Sequence, residues 1–228
     1  YQQQGLAWLQ FLRDTGHGGI LADDMGLGKT AQTLAHILLE KQAGRLNGKP
    51  VLIVAPTSLM HNWQKEAAKF TPELSVLLLH GSQRHTLFDS IPRHDIVLTT
   101  YPLLPRDEER LAAHTFHQLI LDEAQNIKNP QSKAAQVLRH IPADHRLCLT
   151  GTPMENRVDE FADLVSSLQP TTVADLAALD SQVDPARFRA AVAPVYLRRN
   201  ADDVLVELPD LVETDEWCEW AGADREAY

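Results

Sequence analysis

An apolar run, Gly19-Ile20-Leu21-Ala22, gives way to Asp23-Asp24-Met25-Gly26-Leu27-Gly28-Lys29-Thr30, and a helical pattern begins at once. A strand that ends in a glycine-rich bend and reopens as a helix leaves few architectures available, because the helix must fold back over the sheet that holds the strand. Glycines let successive backbone N–H groups curl around an anion. The following helix turns its positive dipole end toward the same anion. That order suits the phosphates of a nucleoside triphosphate, with Asp24, Met25, Gly26, Leu27 and Gly28 forming the cradle. Lys29 reaches the β- and γ-phosphates and the Thr30 hydroxyl ligates Mg²⁺. One departure is visible: the usual first glycine of G-x-x-x-x-G-K-[ST] falls at Asp23. A plain glycine-rich turn at a helix start is the alternative, and the flanking strand and helix favour the phosphate loop.

The rest of the chain repeats the alternation. Short apolar runs rich in branched residues predict strands at 19–22, 51–55, 75–79, 95–99, 118–121 and 146–149. Helices are predicted at 3–13, 29–43, 59–70, 132–140 and 157–168. Strands apolar along their whole length are buried on both faces, as in a parallel sheet. The fold class is therefore α/β: a doubly wound, mostly parallel sheet in three layers, with ligands at the carboxyl ends of the strands. The pattern loosens after Leu168. Residues 169–193 read as a short insertion, 187–199 as another helix running into an apolar segment, and the tail from Asp202 as acidic with no sheet pattern. The domains read from this are a lobe at 1–168, the insertion at 169–193 and a C-terminal segment at 194–228.

Two further strand ends carry chemistry. Leu119-Ile120-Leu121 delivers Asp122-Glu123-Ala124-Gln125. Asp122 can hold Mg²⁺ through water, since Mg²⁺ gives up its waters reluctantly. Glu123 can orient and deprotonate a water that attacks the γ-phosphate. An acidic pair favoured by a helix start is the competing explanation, and the phosphate loop upstream makes it the weaker one. Leu147-Cys148-Leu149 delivers Thr150-Gly151-Thr152-Pro153, whose hydroxyls can couple the γ-phosphate region to neighbouring loops.

Composition sets limits. The chain has 228 residues, 21 basic and 31 acidic, for a net charge of −10. That argues against a wholly electrostatic nucleic-acid binder and leaves room for a narrow strip of contacts. Cys148 and Cys218 have no metal-type spacing, so neither a zinc site nor a disulfide framework is expected. No apolar stretch approaches a membrane span, and a reducing cytoplasm is the natural compartment. The chain opens at Tyr1, inside an apparent motif, which reads as a piece of a longer protein.

Together the motifs resemble the N-terminal RecA-like lobe of superfamily-two helicases, and within them the Swi/Snf-type DNA-translocating ATPases, especially bacterial members. Tyr1-Gln2-Gln3-Gln4-Gly5 with Trp8-Leu9 resembles the family's opening, in which the glutamine, here Gln2, reads adenine. The phosphate loop with Asp23 in place of glycine is a mark of this family. Val54-Ala55-Pro56-Thr57-Ser58-Leu59 with Trp63 resembles motif Ia, and Leu98-Thr99-Thr100-Tyr101 the strand end that touches the nucleic-acid backbone. Asp122-Glu123-Ala124-Gln125, continued by Ile127-Lys128-Asn129-Pro130 and Ser132-Lys133, is the most discriminating match. Leu149-Thr150-Gly151-Thr152-Pro153 with Glu155-Asn156 agrees with motif III, and Leu197-Arg198-Arg199 with Glu207-Leu208-Pro209 resembles the close of the lobe.

The resemblance implies ATP and Mg²⁺ as ligands, with Lys29, Asp122, Glu123 and Gln125 catalytic and Thr150, Gly151 and Thr152 coupling. It implies double-stranded DNA as partner, held through Thr57, Ser58, Thr100, Lys128, Asn129 and Lys133. It also implies a second RecA-like lobe that brings arginine fingers. Two departures stand out: Asn200 and Ala201 replace the family's Thr and Lys, and the stretch 169–193 is short. Arg198 and Arg199 are expected to tie the C-terminal segment to an acidic surface. The other classes left open are a different superfamily-two helicase, a P-loop kinase and a non-catalytic nucleotide-binding module.

Overall fold

Three adjacent parallel strands of one sheet release the phosphate loop, the Asp122-Glu123 pair and Thr150 from their carboxyl ends. The computed structural model describes residues 1–127, 129, 131–151 and 192–204. Its strands are β1 (Gly19–Leu21), β2 (Val51–Ala55), β3 (Val76–Leu78), β4 (Ile96–Thr100), β5 (Phe116–Leu121), β6 (Ala143–Leu149) and β7 (Tyr196–Leu197). They form one sheet in the order β3-β4-β2-β5-β6-β1-β7, and every pairing is parallel. The helices are α1 (Gln2–Thr15), α2 (Lys29–Gln42), α3 (Met60–Phe70), α4 (Leu104–Ala112), α5 (Lys133–His140) and the short α6 (Ala201–Val204).

Alternation along each strand divides the core. Ile20, Leu52, Val54, Leu119 and Leu121 face one side, where Leu104 and Leu111 of α4 and Val137 and Leu138 of α5 cover them. Leu21, Val51, Ile53, Ile120 and Leu147 face the other, under Leu9 and Leu12 of α1, Leu34 and Ile37 of α2, and Met60 and Trp63 of α3. Each fully buried aliphatic side chain contributes about 1.5–3 kcal/mol. A sheet covered on both faces favours apolar positions, which is why the central strands read as apolar runs, with His117 and Gln118 at the start of β5 among the exceptions.

The predicted strands and the first four predicted helices are present with ends shifted by a few residues. The predicted helix at 157–168 lies outside the described residues. Two elements differ from expectation. α4 was not anticipated, and the apolar end of the stretch read at 187–199 supplies the edge strand β7, where Ile20 lies beside Tyr196 and Leu21 beside Leu197; residues 187–191 lie outside the described residues.

At the amino ends of the strands sits a buried polar cluster. Glu40 of α2 is fully buried and accepts from Arg45 Nη2 at 2.8 Å, His117 Nε2 at 3.0 Å and Gln10 Nε2 at 3.2 Å. The same Gln10 amide lies 2.7 Å from Nδ1 of buried His36. Burial pushes His36 down to about 4 from 6.5, against the pull of Glu40. The unfolded chain therefore binds the extra proton between those values. Stability from His36 is complete above pH 6.5 and lost as pH falls toward 4, on the order of 3 kcal/mol in all. Urea melts at stepped pH should show that slope, and His36→Gln should flatten it.

Candidate nucleotide site

β1, β6 and β5 are neighbours in the sheet, so Leu21, Leu149 and Leu121 end side by side and release the phosphate loop, Thr150 and Asp122 at one edge. Thr150 N donates to Leu21 O at 3.1 Å and Asp122 N to Val54 O at 2.8 Å, extending the sheet into the site. This is the carboxyl edge at which open α/β sheets hold ligands.

The loop explains its own glycines. Gly26 and Gly28 have φ of 86° and 74°, which side chains disfavour. Gly28 is also the N-cap of α2, with no side-chain cap there, and α2 has no acidic residue in its first turn. Such a helix start suits an anion, since its first-turn N–H groups and dipole favour negative charge. A Cβ on Gly28 would stand 3.0 Å from Gln2 Nε2, so the Gln2 side chain lies against the loop. Lys29 Nζ donates to the carbonyls of Asp23 at 2.6 Å and Asp24 at 3.2 Å. Burial lowers its pKa, opposed by Glu123, Asp23, Asp122 and Asp24. Thr30 follows in the first turn of α2, partly exposed, and Met25 stands 77% exposed at the loop's crest.

Asp23 is not among the residues with positive φ, so its backbone has no need of glycine. Its carboxylate is fully buried and forms a bidentate pair with Arg199, whose Nε lies 2.9 Å from Oδ1. Arg199 also donates to Gln32 Oε1 at 2.9 Å and to the carbonyl of Tyr1. Asp24 N donates to Arg199 O at 3.1 Å, and Ala201 N to Asp24 Oδ2 at 2.9 Å. One guanidinium therefore joins the chain start, the phosphate loop, α2 and the segment after β7. A Cβ on Gly5 would lie 1.8 Å from Gln32 Oε1, so the glycine makes room for this cluster.

At β5, Asp122 is 7% exposed. Its Oδ1 accepts from Glu123 N at 3.0 Å and its Oδ2 from the indole Nε1 of Trp63 at 2.7 Å. Burial raises its pKa and the Trp63 hydrogen bond opposes that rise. Glu123 has φ 48° and ψ 54°, a left-handed conformation rare for a side-chain-bearing residue. Such conformations cost about 1–3 kcal/mol and gather at functional sites. Asn126 fixes this one through its N and Nδ2, both donating to Glu123 O at 2.9 and 2.8 Å. Gln125 Nε2 donates to Glu123 Oε2, and Thr150 Oγ1 donates to Gln125 Oε1 at 2.9 Å. A Cβ on Gly151 would be 2.9 Å from Met25, 3.4 Å from Lys29 Nζ and 3.9 Å from Glu123 Oε1. The phosphate loop, the carboxylate pair and the Thr150 strand end meet there.

No group of three or more His, Cys, Asp and Glu able to hold a metal occurs among the described residues. A hydroxyl at Thr30 and a carboxylate at Asp122 are hard oxygen donors, few in number, which suits Mg²⁺ that keeps its waters and takes substrate phosphates.

The chain as a whole, residues 1–228, matches the SNF2-related domain. The chain belongs to that family. It is 37% identical over its whole length to YwqA of Bacillus subtilis, and 33% identical over 94% of its length to the ISWI chromatin-remodeling complex ATPase ISW2 of Saccharomyces cerevisiae. The Sulfolobus solfataricus SWI2/SNF2 ATPase core in complex with dsDNA superposes with a TM-score of 0.81 at 35% identity over 94% of this chain. The chain spans 26% of YwqA, 20% of ISW2 and 47% of the Sulfolobus chain. The RecA-like α/β fold expected from sequence is the one this family has.

The remaining expected residues fall in varied places. Thr57 and Ser58 are exposed in the turn between β2 and α3. Thr100, expected to touch DNA, ends β4 at 1% exposure, so both its backbone and its side chain are buried. Asn129 and Lys133 are exposed, with Asn129 Oδ1 accepting from Gln131 N at 2.8 Å. Lys128 and Thr152 lie outside the described residues. Arg199 ties the segment after β7 to the buried Asp23 carboxylate, as expected of it. Trp63 and Tyr101 stand inside motifs read from the sequence, but their hydrogen bonds to Asp122 could not be read from those motifs.

Proposed function

We propose that this chain is the ATP-binding lobe of an ATP-dependent translocase that moves on double-stranded DNA. The observation that carries this reading is the meeting of Lys29, Glu123 and Gly151 at one edge of a SNF2-related sheet. Lys29 and the α2 amino end bind and orient the phosphates of ATP. Gln2, resting on the loop, is positioned to read the base. Thr30 and Asp122 would hold Mg²⁺, which supplies charge neutralisation at the phosphates. Glu123 accepts the proton of the attacking water. Gln125 links Glu123 to Thr150, so the state of the γ-phosphate is felt at the β6 end.

The DNA reading draws on the exposed turn at Thr57 and Ser58, the end of β4, and Asn129 and Lys133, together with Lys128, which precedes Asn129 in sequence. Backbone phosphates are the fitting target because movement along DNA cannot depend on sequence. Among the described residues no helix is long and apolar enough to cross a membrane, and a cytoplasmic or nucleoid setting goes with this reading.

A second RecA-like lobe is part of the proposal, since an arginine finger contributes ~10³–10⁵ in rate. This chain by itself is expected to bind ATP weakly and turn it over very slowly. Translocation without strand separation is tested by triplex displacement with the longer protein. Release of a third strand from intact duplex, dependent on ATP, is expected. Unwinding of a forked duplex with no triplex release would replace this reading with a strand-separating helicase.

A further inference from the structure

Asp122 is gripped by groups from the two strand ends on its outer side. The indole Nε1 of Trp63, itself 1% exposed, donates to Oδ2 of Asp122 at 2.7 Å. The Tyr101 hydroxyl donates to the Asp122 carbonyl at 2.6 Å. Trp63 stands in the first turn of α3, directly after the Thr57–Leu59 turn, and Tyr101 follows Thr100 at the end of β4. The two strands lie side by side, with Val54 opposite Thr99 and Ala55 opposite Thr100, and Val54 O accepts the Asp122 N–H. Each strand end read above as a DNA contact is therefore a single hydrogen bond away from the residue read as a Mg²⁺ ligand.

We propose that Trp63 and Tyr101 are positioning residues that hold Asp122 and tie its placement to the strand ends at Thr57–Ser58 and Thr100. The two bonds divide the task. Trp63 takes one carboxylate oxygen and orients the carboxyl plane, as a partner behind a metal ligand does. Tyr101 fixes the backbone on which that carboxylate hangs, and burial keeps its hydroxyl protonated and able to donate. A displacement of the β2 or β4 end by a bound DNA backbone moves the donor and carries Asp122 with it. This coupling rests on the DNA reading given above, whereas the positioning of Asp122 does not.

Trp63→Phe keeps an aromatic ring and removes the N–H; Tyr101→Phe removes only the hydroxyl. The first measurement is binding of a fluorescent ATP analogue to the chain in EDTA and across a MgCl₂ titration. Both variants should bind within about twofold of wild type in EDTA, because the phosphate loop is untouched. Both should need ~10-fold more MgCl₂ to reach the Mg²⁺-supported affinity. An unchanged MgCl₂ midpoint in both variants, or an equal loss with and without Mg²⁺, overturns the positioning role. The second measurement is turnover by the longer protein with and without duplex DNA, at MgCl₂ saturating for each variant. A several-fold drop in DNA stimulation supports the link, and undiminished stimulation overturns it. If wild type itself ignores duplex DNA, the DNA reading fails while the MgCl₂ result still stands.

Discussion

Replacing Glu123 by glutamine is expected to lower ATP turnover of the longer protein by ~10²–10⁴-fold while leaving ATP affinity close to wild type. The argument is geometric. Glu123 leaves the β5 end in a left-handed conformation that Asn126 secures, and its carboxylate is tethered by Gln125, itself held by Thr150. Glutamine keeps the size and one acceptor oxygen but cannot take a proton at neutral pH. Lys29 and the loop N–H groups that bind phosphates are left alone. A single-turnover assay alongside equilibrium binding separates the two effects. Affinity falling as steeply as rate would mean that Glu123 has a structural task instead.

The second large effect concerns the residue where an ordinary phosphate loop has glycine. Asp23→Gly restores the common pattern, yet it is expected to destabilise the fold by about 3–5 kcal/mol, because it strips a buried guanidinium of its partner. Arg199 would keep only Gln32 and the Tyr1 carbonyl as acceptors within the cluster. Arg199→Ala leaves the buried Asp23 carboxylate without its cation, with Gln32 Nε2 at 3.5 Å, and should cost a similar amount. The pair Asp23→Leu with Arg199→Met should recover much of the loss, since apolar replacement of both members removes the desolvation penalty along with the attraction. Urea denaturation of the three variants reads this directly. Asp23→Gly as stable as wild type would show that the pair is incidental to folding.

This pair also shows where a sequence stops being readable. The strands were legible because burial on both faces leaves apolar runs such as Val51–Ala55 and Leu119–Leu121. α2 was legible because its glycine loop and apolar spacing agree. α4 was not: Leu104 and Leu111 are its buried apolar anchors, and Arg106, Asp107, Glu108, Glu109 and Arg110 lie between them. β7 is two residues long, and its neighbour β1 gives it meaning, not its own pattern. The site divides the same way. Local motifs gave the phosphate loop, the carboxylate pair and the Thr150 end, because each is continuous in sequence. The partners that hold them are distant: Arg199 lies 176 residues from Asp23 and Trp63 lies 59 from Asp122. Spacing rules carry no information over such separations. The folded sheet brings these residues together.

The most direct test of an ATPase site that works on duplex DNA is steady-state ATP turnover by the longer protein, with Glu123→Gln as control. Turnover should rise many-fold on adding duplex DNA, respond little to single-stranded RNA, and fall ~10²–10⁴-fold in the Glu123→Gln variant. Turnover indifferent to DNA, stimulation by RNA in place of duplex DNA, or no turnover at all would contradict the account.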